Sequence, residues 1–231
     1  MKIIGLIPAF NEEENIVDTV SSLLLNCPDV DYVVINDCST DQTRSILRKN
    51  NFNYLDLPIN LGIGGAMQTG YKYALEHEYD IAFQFDGDGQ HRAEYIQDLI
   101  NPIIEGDADL VIGSRFINCE GYQSSNIRRT GINILRWTIK VTTGVTIHDV
   151  TSGFRAVDKK LMTFFAQNYA QDYPEPESVV AAIVNGCKVV EVPTEMNERK
   201  KGKSSIGKTK SVYYMIKVTL AIFFYKLIGK K

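Results

Sequence analysis

The run DIAFQFDGDGQH, residues 80–91, decides how the chain is read. Its first half is apolar enough for a buried strand. Its second half breaks into a glycine-punctuated turn carrying two carboxylates and an amide. Working outward, KIIGLIP (2–8) and DYVVIND (31–37) read as two more buried strands, NYLDLP (53–58) as a short one and ADLVIGSRF (108–116) as another. Between them lie helical stretches at 12–25, 39–50, 62–77 and 93–106, with Asn11 expected to cap the first and Ser39, Thr40 or Asp41 the second. Strands alternating with helices of 10–15 residues mean βαβ units, and so an α/β fold with a mainly parallel sheet flanked by helices. Beyond Phe116 the expected pattern is a polar loop with Arg128 and Arg129, a helix at 131–143, and DVTSGFRAVDKKLM as a turn into a helix. A helix stopped by Gly186 and a last strand follow. In open parallel sheets ligands bind at the carboxyl ends of the strands. Four such ends carry polar residues here: 8–12, 36–37, 86–88 and 113–115.

The bulk properties exclude several classes. A chain of 231 residues is long enough for one full core, and a net charge of −3 argues against a general nucleic-acid binder. The cysteines at 27, 38, 119 and 187 form no zinc-type spacing and read as reduced thiols of a cytosolic protein. The first 15 residues do not have the form of a secretory leader. From Arg199 onward there are ten Lys/Arg and no acid, so the other 15 bases and all 28 acids precede it. A basic end on an acidic body points to a negatively charged partner. The segment 212–228 would make about 25 Å of helix, short of a bilayer core, and it carries Lys217 and Lys226. The expected organisation is a catalytic domain over 1–208 and, over 209–231, an apolar and basic helix that lies on a membrane surface or docks a small membrane subunit, with packing against the core as the competing reading.

The chemistry is expected at Asp86, Asp88 and Gln90. Hard divalent cations take oxygen ligands, and Mg²⁺ typically uses one or two carboxylates plus substrate phosphate oxygens. A solvated turn is the competing reading of an isolated D-x-D, and His91 reads equally as a supporting or a structural residue. Glu12 and Asp37, at two strand ends, could accept from ribose hydroxyls or a base N–H besides capping helices. Gly62, Gly64 and Gly65 match neither a Walker loop nor a dinucleotide fingerprint and read as tight packing. Arg115, Arg128, Arg129, Arg155 and Arg199 are candidate phosphate clamps, because guanidinium forks onto phosphate oxygens, with Arg155 alternatively structural. Glu175 and Glu177, in the rigid DYPEPES stretch (172–178), are candidate general bases or structural anchors, and Asp149 competes for either role.

Five motifs in order, PAFNEE (8–13), NDCSTD (36–41), DGDGQH (86–91), GSRF (113–116) and DVTSGFR (149–155), resemble glycosyltransferase family 2. They look most like its dolichyl/polyprenyl-phosphate hexose synthase branch, over roughly residues 1–208. The resemblance implies a GT-A fold, a nucleoside-diphosphate sugar donor, Mg²⁺ or Mn²⁺, and inversion at the anomeric carbon. By position it implies Pro8, Phe10, Glu12, Ile35 and Asp37 around the nucleoside, Asp86 facing the donor, and Asp86, Asp88 and Gln90 at the metal. It puts Arg115 near a phosphate, and Arg199 with Lys203 in a basic loop over the donor; Lys203-Ser204-Ser205 departs from the usual order of that loop. Arg128 and Arg129 are the candidates for an acceptor phosphate. The expected activity is hexose transfer to a polyprenyl phosphate by a cytoplasmic protein lying on the inner face of the membrane. The rival acceptor is a sugar hydroxyl of a lipid-linked polysaccharide. A nucleotidyltransferase would want a basic loop where PAFNEEEN is acidic, and a non-catalytic scaffold would have no use for Asp86, Asp88 and Gln90.

Overall fold

In the computed structural model, residues 1–118, 126–172 and 174–198 are described, with backbone alone at 126–128. The chain runs β1 (Ile3–Ala9), α1 (Ile16–Asn26), β2 (Asp31–Asn36), α2 (Thr43–Lys49), β3 (Tyr54–Asp56), α3 (Gly62–Glu76) and β4 (Ile81–Gln84). A single 3₁₀ turn, Ala93–Tyr95, leads into α4 (Ile96–Ile104) and β5 (Leu110–Ser114). Then come α5 (Asn126–Thr143), β6 (Arg155–Asp158), α6 (Lys159–Asn168), α7 (Pro174–Val184) and β7 (Val189–Pro193). The sheet order is β3-β2-β1-β4-β6-β5-β7, with every pairing parallel except those of β6 to β4 and β5.

Alternation along the strands divides the core into two layers. Leu6, Ile35 and Val157 point to one face, where α3, α5, α6 and α7 pack through Met67, Leu135, Phe165 and Val180. Ile7, Val34 and Phe83 point to the other, against α1 and α4 through Val20 and Leu99. The central strands are covered on both faces, as a parallel sheet requires.

The structure corrects several boundaries. Residues 155–158 form the antiparallel strand β6, where a turn into a helix was expected; the helix follows at once, with the Asp158 carboxylate accepting from Leu161 N at 2.8 Å. α1 starts at Ile16 rather than Glu12, and Asn11 is not its cap: it sits at φ +57° and uses its side chain elsewhere. α5 starts at Asn126, so Arg128 and Arg129 stand in a helix rather than a loop. Glu175 and Glu177 belong to the first turn of α7. Gly186, at φ +73°, ends the α7 segment as expected. The segment 209–231 lies outside the described residues.

Candidate active site

Two loops form the floor at the carboxyl edge of the sheet, and they are laced to one another. Asn11, at the end of β1, accepts at Oδ1 from Thr40 N (2.8 Å), while Asn11 N donates to Ser39 Oγ (3.0 Å). Glu12 N donates to Thr43 Oγ1 (2.9 Å), Glu13 N to Asp41 Oδ2 (3.1 Å), and Gln42 N to Glu13 Oε2 (2.8 Å). The polar residues of PAFNEE and NDCSTD therefore satisfy each other's backbone. They do not cap their helices as expected: α2 starts after Gln42 rather than Ser39, Thr40 or Asp41, with no side-chain cap, although Asp41 Oδ1 accepts from Thr43 N at 2.9 Å. Asp37 accepts from Leu61 N at 2.7 Å and so ties β2 to the start of α3; burial pushes its carboxyl above the usual range, against the pull of those backbone amides. Glu12 is nearly buried and accepts from Asn15 Nδ2 at 2.8 Å. Phe10 is 42% exposed at the same rim. Gly64 and Gly65 give the packing that was expected of them, leaving room for the backbone at Ala170–Gln171 and for Leu61.

The DGDGQH turn is clamped from all sides. Gly87 N donates to Pro8 O at 3.2 Å, Thr19 Oγ1 donates to Gly87 O at 3.2 Å, and Gly89 turns at φ +72°. A Cβ at Gly87 would stand 2.9 Å from Pro8 O, so only glycine lets the turn approach β1 this closely. Gln84 Nε2 donates to Asp86 Oδ1 at 2.7 Å, and Gln90 N donates to Asp88 Oδ1 at 3.0 Å. Asp86 N donates to His91 Nδ1 at 3.0 Å. That bond needs an unprotonated Nδ1, so the proton of the neutral ring sits on Nε2, 3.5 Å from Asp86 Oδ2. Burial pushes His91 down to about 4, and its ring stacks on Phe154 at 4.7 Å. His91 is thus a neutral strut under Asp86.

The segment after β7 closes the turn from the far side. His91 bridges Met196, Asn197 N donates to Gln90 O at 2.9 Å, and Asn197 Nδ2 donates to Gly89 O at 3.4 Å. From a third side comes Gly153, just before β6: a Cβ there would lie 3.0 Å from Asp86 Oδ2 and 2.7 Å from Gln84 Nε2. Asp88 also borders a cavity of about 420 Å³ against α1, shared with Asp18, Thr19 and Arg92.

The donor set fits a hard divalent cation that a ligand's own oxygens complete. Asp86 and Asp88 are part-exposed carboxylates on a held turn, with the Gln90 amide beside them. Among the described residues no group of three or more His, Cys, Asp or Glu forms a closed cage. An open, oxygen-only site is the form that Mg²⁺ takes in phosphate chemistry.

The structure corrects the reading of two arginines and one strand residue. Arg115 is not turned out toward a ligand: it forks onto Asp149, Nε to Oδ2 at 2.6 Å and Nη2 to Oδ1 at 2.8 Å, both residues being buried. A fully buried carboxylate demands such a partner. Asp149 is therefore a structural anion, and Glu191 on β7 holds it in place by accepting from Asp149 N and His148 N, each at 2.7 Å. Arg155 is a fully buried pin, the structural alternative: it donates to Ser152 O and, through Nη1, to Glu175 O (3.1 Å) and Ser178 Oγ (2.6 Å). It joins the first turn of α7 to the turn holding Gly153. Ile35 is fully buried in the core beside Leu6, so its side chain cannot line an open pocket. Pro8 is buried too, and its carbonyl holds the turn. Arg129 is exposed on α5, and Glu175 and Glu177 are half-buried. Arg199, Lys203 and the side chain of Arg128 lie outside the described residues. Sequence reading missed Thr19, Gly153, Glu191 and Asn197. Only Gly153, inside the TSGFR motif, carried a signal.

Comparison with known proteins shows the family and the fold. The model of glycosyl transferase family 2 matches residues 6–164, most of the chain. The polyprenol monophosphomannose synthase of Mycolicibacterium smegmatis is 28% identical, covering 92% of this chain and 84% of that one. A UDP-N-acetylglucosamine–dolichyl-phosphate N-acetylglucosaminyltransferase of Methanococcus voltae is 31% identical over 81% and 82%. Among solved structures, glucosyl-3-phosphoglycerate synthase from Mycobacterium tuberculosis, in complex with Mn²⁺, uridine diphosphate and phosphoglyceric acid, superposes with a TM-score of 0.73. It is 16% identical, over 97% of this chain and 78% of that one, and so shares the fold. The chain belongs to glycosyltransferase family 2 and is a glycosyltransferase of GT-A architecture.

Proposed function

We propose that this glycosyltransferase moves a hexose from a nucleoside-diphosphate sugar to a polyprenyl phosphate at a membrane surface. The observation that carries the reading is the pair Asp86 and Asp88, held on a clamped turn at the sheet edge beside the nucleoside-side loops. The acceptor class is supported by relatives named for polyprenyl and dolichyl phosphate that align over more than 80% of the chain. The divalent ion is supported by the fold neighbours named with Mn²⁺ or Mg²⁺ and uridine diphosphate.

In this reading Asp86, Asp88 and Gln90 would hold Mg²⁺ or Mn²⁺, which when bound supplies positive charge to the departing diphosphate. The chain's own residues do the rest. Phe10, Glu12 and Asp37 orient the nucleoside at the rim. Arg199 and Lys203 screen the diphosphate, and Arg128 or Arg129 meets the acceptor phosphate. An acceptor phosphate oxygen attacks the anomeric carbon from the face opposite the leaving group. The C–O bond to the diphosphate breaks, and the nucleoside diphosphate leaves with the electron pair. The attacking oxygen is already anionic, so no side chain has to take a proton. A sugar hydroxyl would need a base, and Glu175 or Glu177 would be the candidates.

The test is turnover of UDP-, GDP- and dTDP-hexoses with polyprenyl phosphate in detergent, with and without Mn²⁺, followed as transfer of sugar label into the organic phase. Label should move with one donor, need the ion, and fall at least about 100-fold in Asp88→Asn. Glu175→Gln and Glu177→Gln should leave transfer near wild type. Transfer only to saccharide acceptors, abolished by either glutamate change, would overturn the acceptor. No thermal stabilisation by any donor with Mn²⁺ would overturn the donor site.

A further inference from the structure

One apolar helix stripe has no role in the site just described. On α5, Ile134, Trp137 and Val141 are 44%, 64% and 50% exposed. Their spacing of three and four residues puts them in one stripe. The opposite face is core: Ile132, Leu135 and Ile139 are almost fully buried. The helix carries Arg128, Arg129, Arg136 and Lys140 and no acid, in a chain whose net charge is −3. By helical geometry Arg129, Arg136 and Lys140 share a second line along the helix, about a third of a turn from the stripe and roughly a quarter-turn from the core line, with Arg129 and Lys140 exposed and Arg136 half-buried. In sequence the helix also stands between the two residues of the buried ion pair, in the connection from β5, where Arg115 stands, to the loop of Asp149.

We infer that this face of α5 docks on an anionic lipid surface, with Trp137 entering the boundary between headgroups and acyl chains and the basic residues meeting lipid phosphates. An amphipathic helix with a tryptophan on its apolar stripe and cations beside it is the form that lies in a membrane interface. Charge decides among the occupants. The segment from Arg199 onward holds ten bases and no acid, so laying it on α5 would set cations against cations. A second copy apposed through the same face would do likewise. Both basic regions suit a common anionic partner instead. No helix among the described residues is long and apolar enough to cross a membrane, so contact through a surface helix is the form available to them. The inference rests on the proposed acceptor only for why a membrane should stand beside this sheet edge.

Trp137 is the sole tryptophan of the chain, so its emission reports on this face alone. The full-length protein is mixed with vesicles of 3:1 phosphatidylcholine and phosphatidylglycerol, and with pure phosphatidylcholine. Emission should move to the blue and escape acrylamide quenching with the anionic vesicles, and be quenched by lipids brominated in their acyl chains. Lys140→Gln should weaken co-sedimentation about fivefold, the usual worth of one base near an anionic surface. Trp137→Ala should weaken it roughly tenfold or more. Three results overturn the inference: co-sedimentation without bromolipid quenching, which puts the contact elsewhere; a blue shift that grows with protein concentration before lipid is added, which means self-association; and resistance to acrylamide in the lipid-free protein, which means that the chain already covers the face. Vesicle binding needs no turnover. A non-lipid acceptor found in the transfer assay would therefore sink the proposed function while leaving this result standing.

Discussion

Asp149→Asn should destabilise the fold by about 3–5 kcal/mol, the usual cost of removing one partner of a buried ion pair. The side chain of Asp149 is 0% exposed and that of Arg115 is 9% exposed. The carboxylate accepts three bonds from Arg115: Nε at 2.6 Å, Nη2 at 2.8 Å and the backbone N at 3.2 Å. An isosteric amide keeps the shape, withdraws the charge, and turns an NH₂ group toward a guanidinium that has only donors. For a chain of this length the loss corresponds to a melting shift of about 6–20 °C. Urea unfolding followed by far-ultraviolet circular dichroism measures it, since Trp137 is too exposed to report on the core. The double variant Arg115→Met with Asp149→Leu should lose clearly less than the sum of its single changes, because neither charge is then left buried alone. A single change costing under about 1 kcal/mol, or additive costs in the double variant, would refute the pairing. Kinetics give a second discriminator. If Arg115 held a phosphate instead, Arg115→Lys would raise the donor KM while leaving the melting temperature in place.

Two further outcomes follow from the supports of Asp86. His91 is held down at about 4 in the folded protein, against about 6.5 when unfolded, so the unfolded chain takes up the proton first. Its contribution is whole at neutral pH and is lost as pH falls from about 6.5 toward 4; by pH 5 the loss is about 2 kcal/mol. Urea titrations at pH 7 and 5 should show that slope in the wild type and a flatter one in His91→Gln, and coincident slopes would falsify the buried neutral ring. In Gly153→Ala the new methyl meets Gln84 Nε2 and Asp86 Oδ2, so Asp86 must shift. Turnover should fall roughly 10- to 100-fold, the scale expected for a small misplacement at a reacting centre. Turnover equal to wild type in a folded variant would show that the position of Asp86 is not critical.

The alternating strands and helices were legible because each central strand is covered on both faces and so reads as a plain apolar run. DIAFQFD and YVVIN could hardly be anything else. The four-residue strand at Arg155–Asp158 was not legible. It is shorter than any pattern window, it opens with a charge, and it runs straight into α6. Ile35 shows a different limit. Motif position puts it near the nucleoside, but strand alternation turns its side chain into the core with Leu6, leaving neighbouring Asn36 and Asp37 for the edge. Arg115 shows a third. A lone arginine at a strand end suits a phosphate equally well until its partner, 34 residues away, is placed beside it.

That antiparallel strand is also what makes the site more than a row of strand ends. β1, β2, β4 and β5 deliver their carboxyl ends to the edge, whereas β6, running the other way, delivers its beginning. The residues leading into it therefore reach the same edge: Asp149 against Arg115, Ser152 against the Arg155 guanidinium, Gly153 against Asp86. Through Arg155 that turn is fixed to the first turn of α7, where Glu175 and Glu177 stand. A parallel strand in this place would have sent the TSGFR residues to the far end of the sheet and left Asp86 without Gly153 beside it. The reversal makes the carboxylate turn, the buried ion pair and the start of α7 one rigid unit, and rigidity on this scale is what a site needs to discriminate a transition state from a bound substrate.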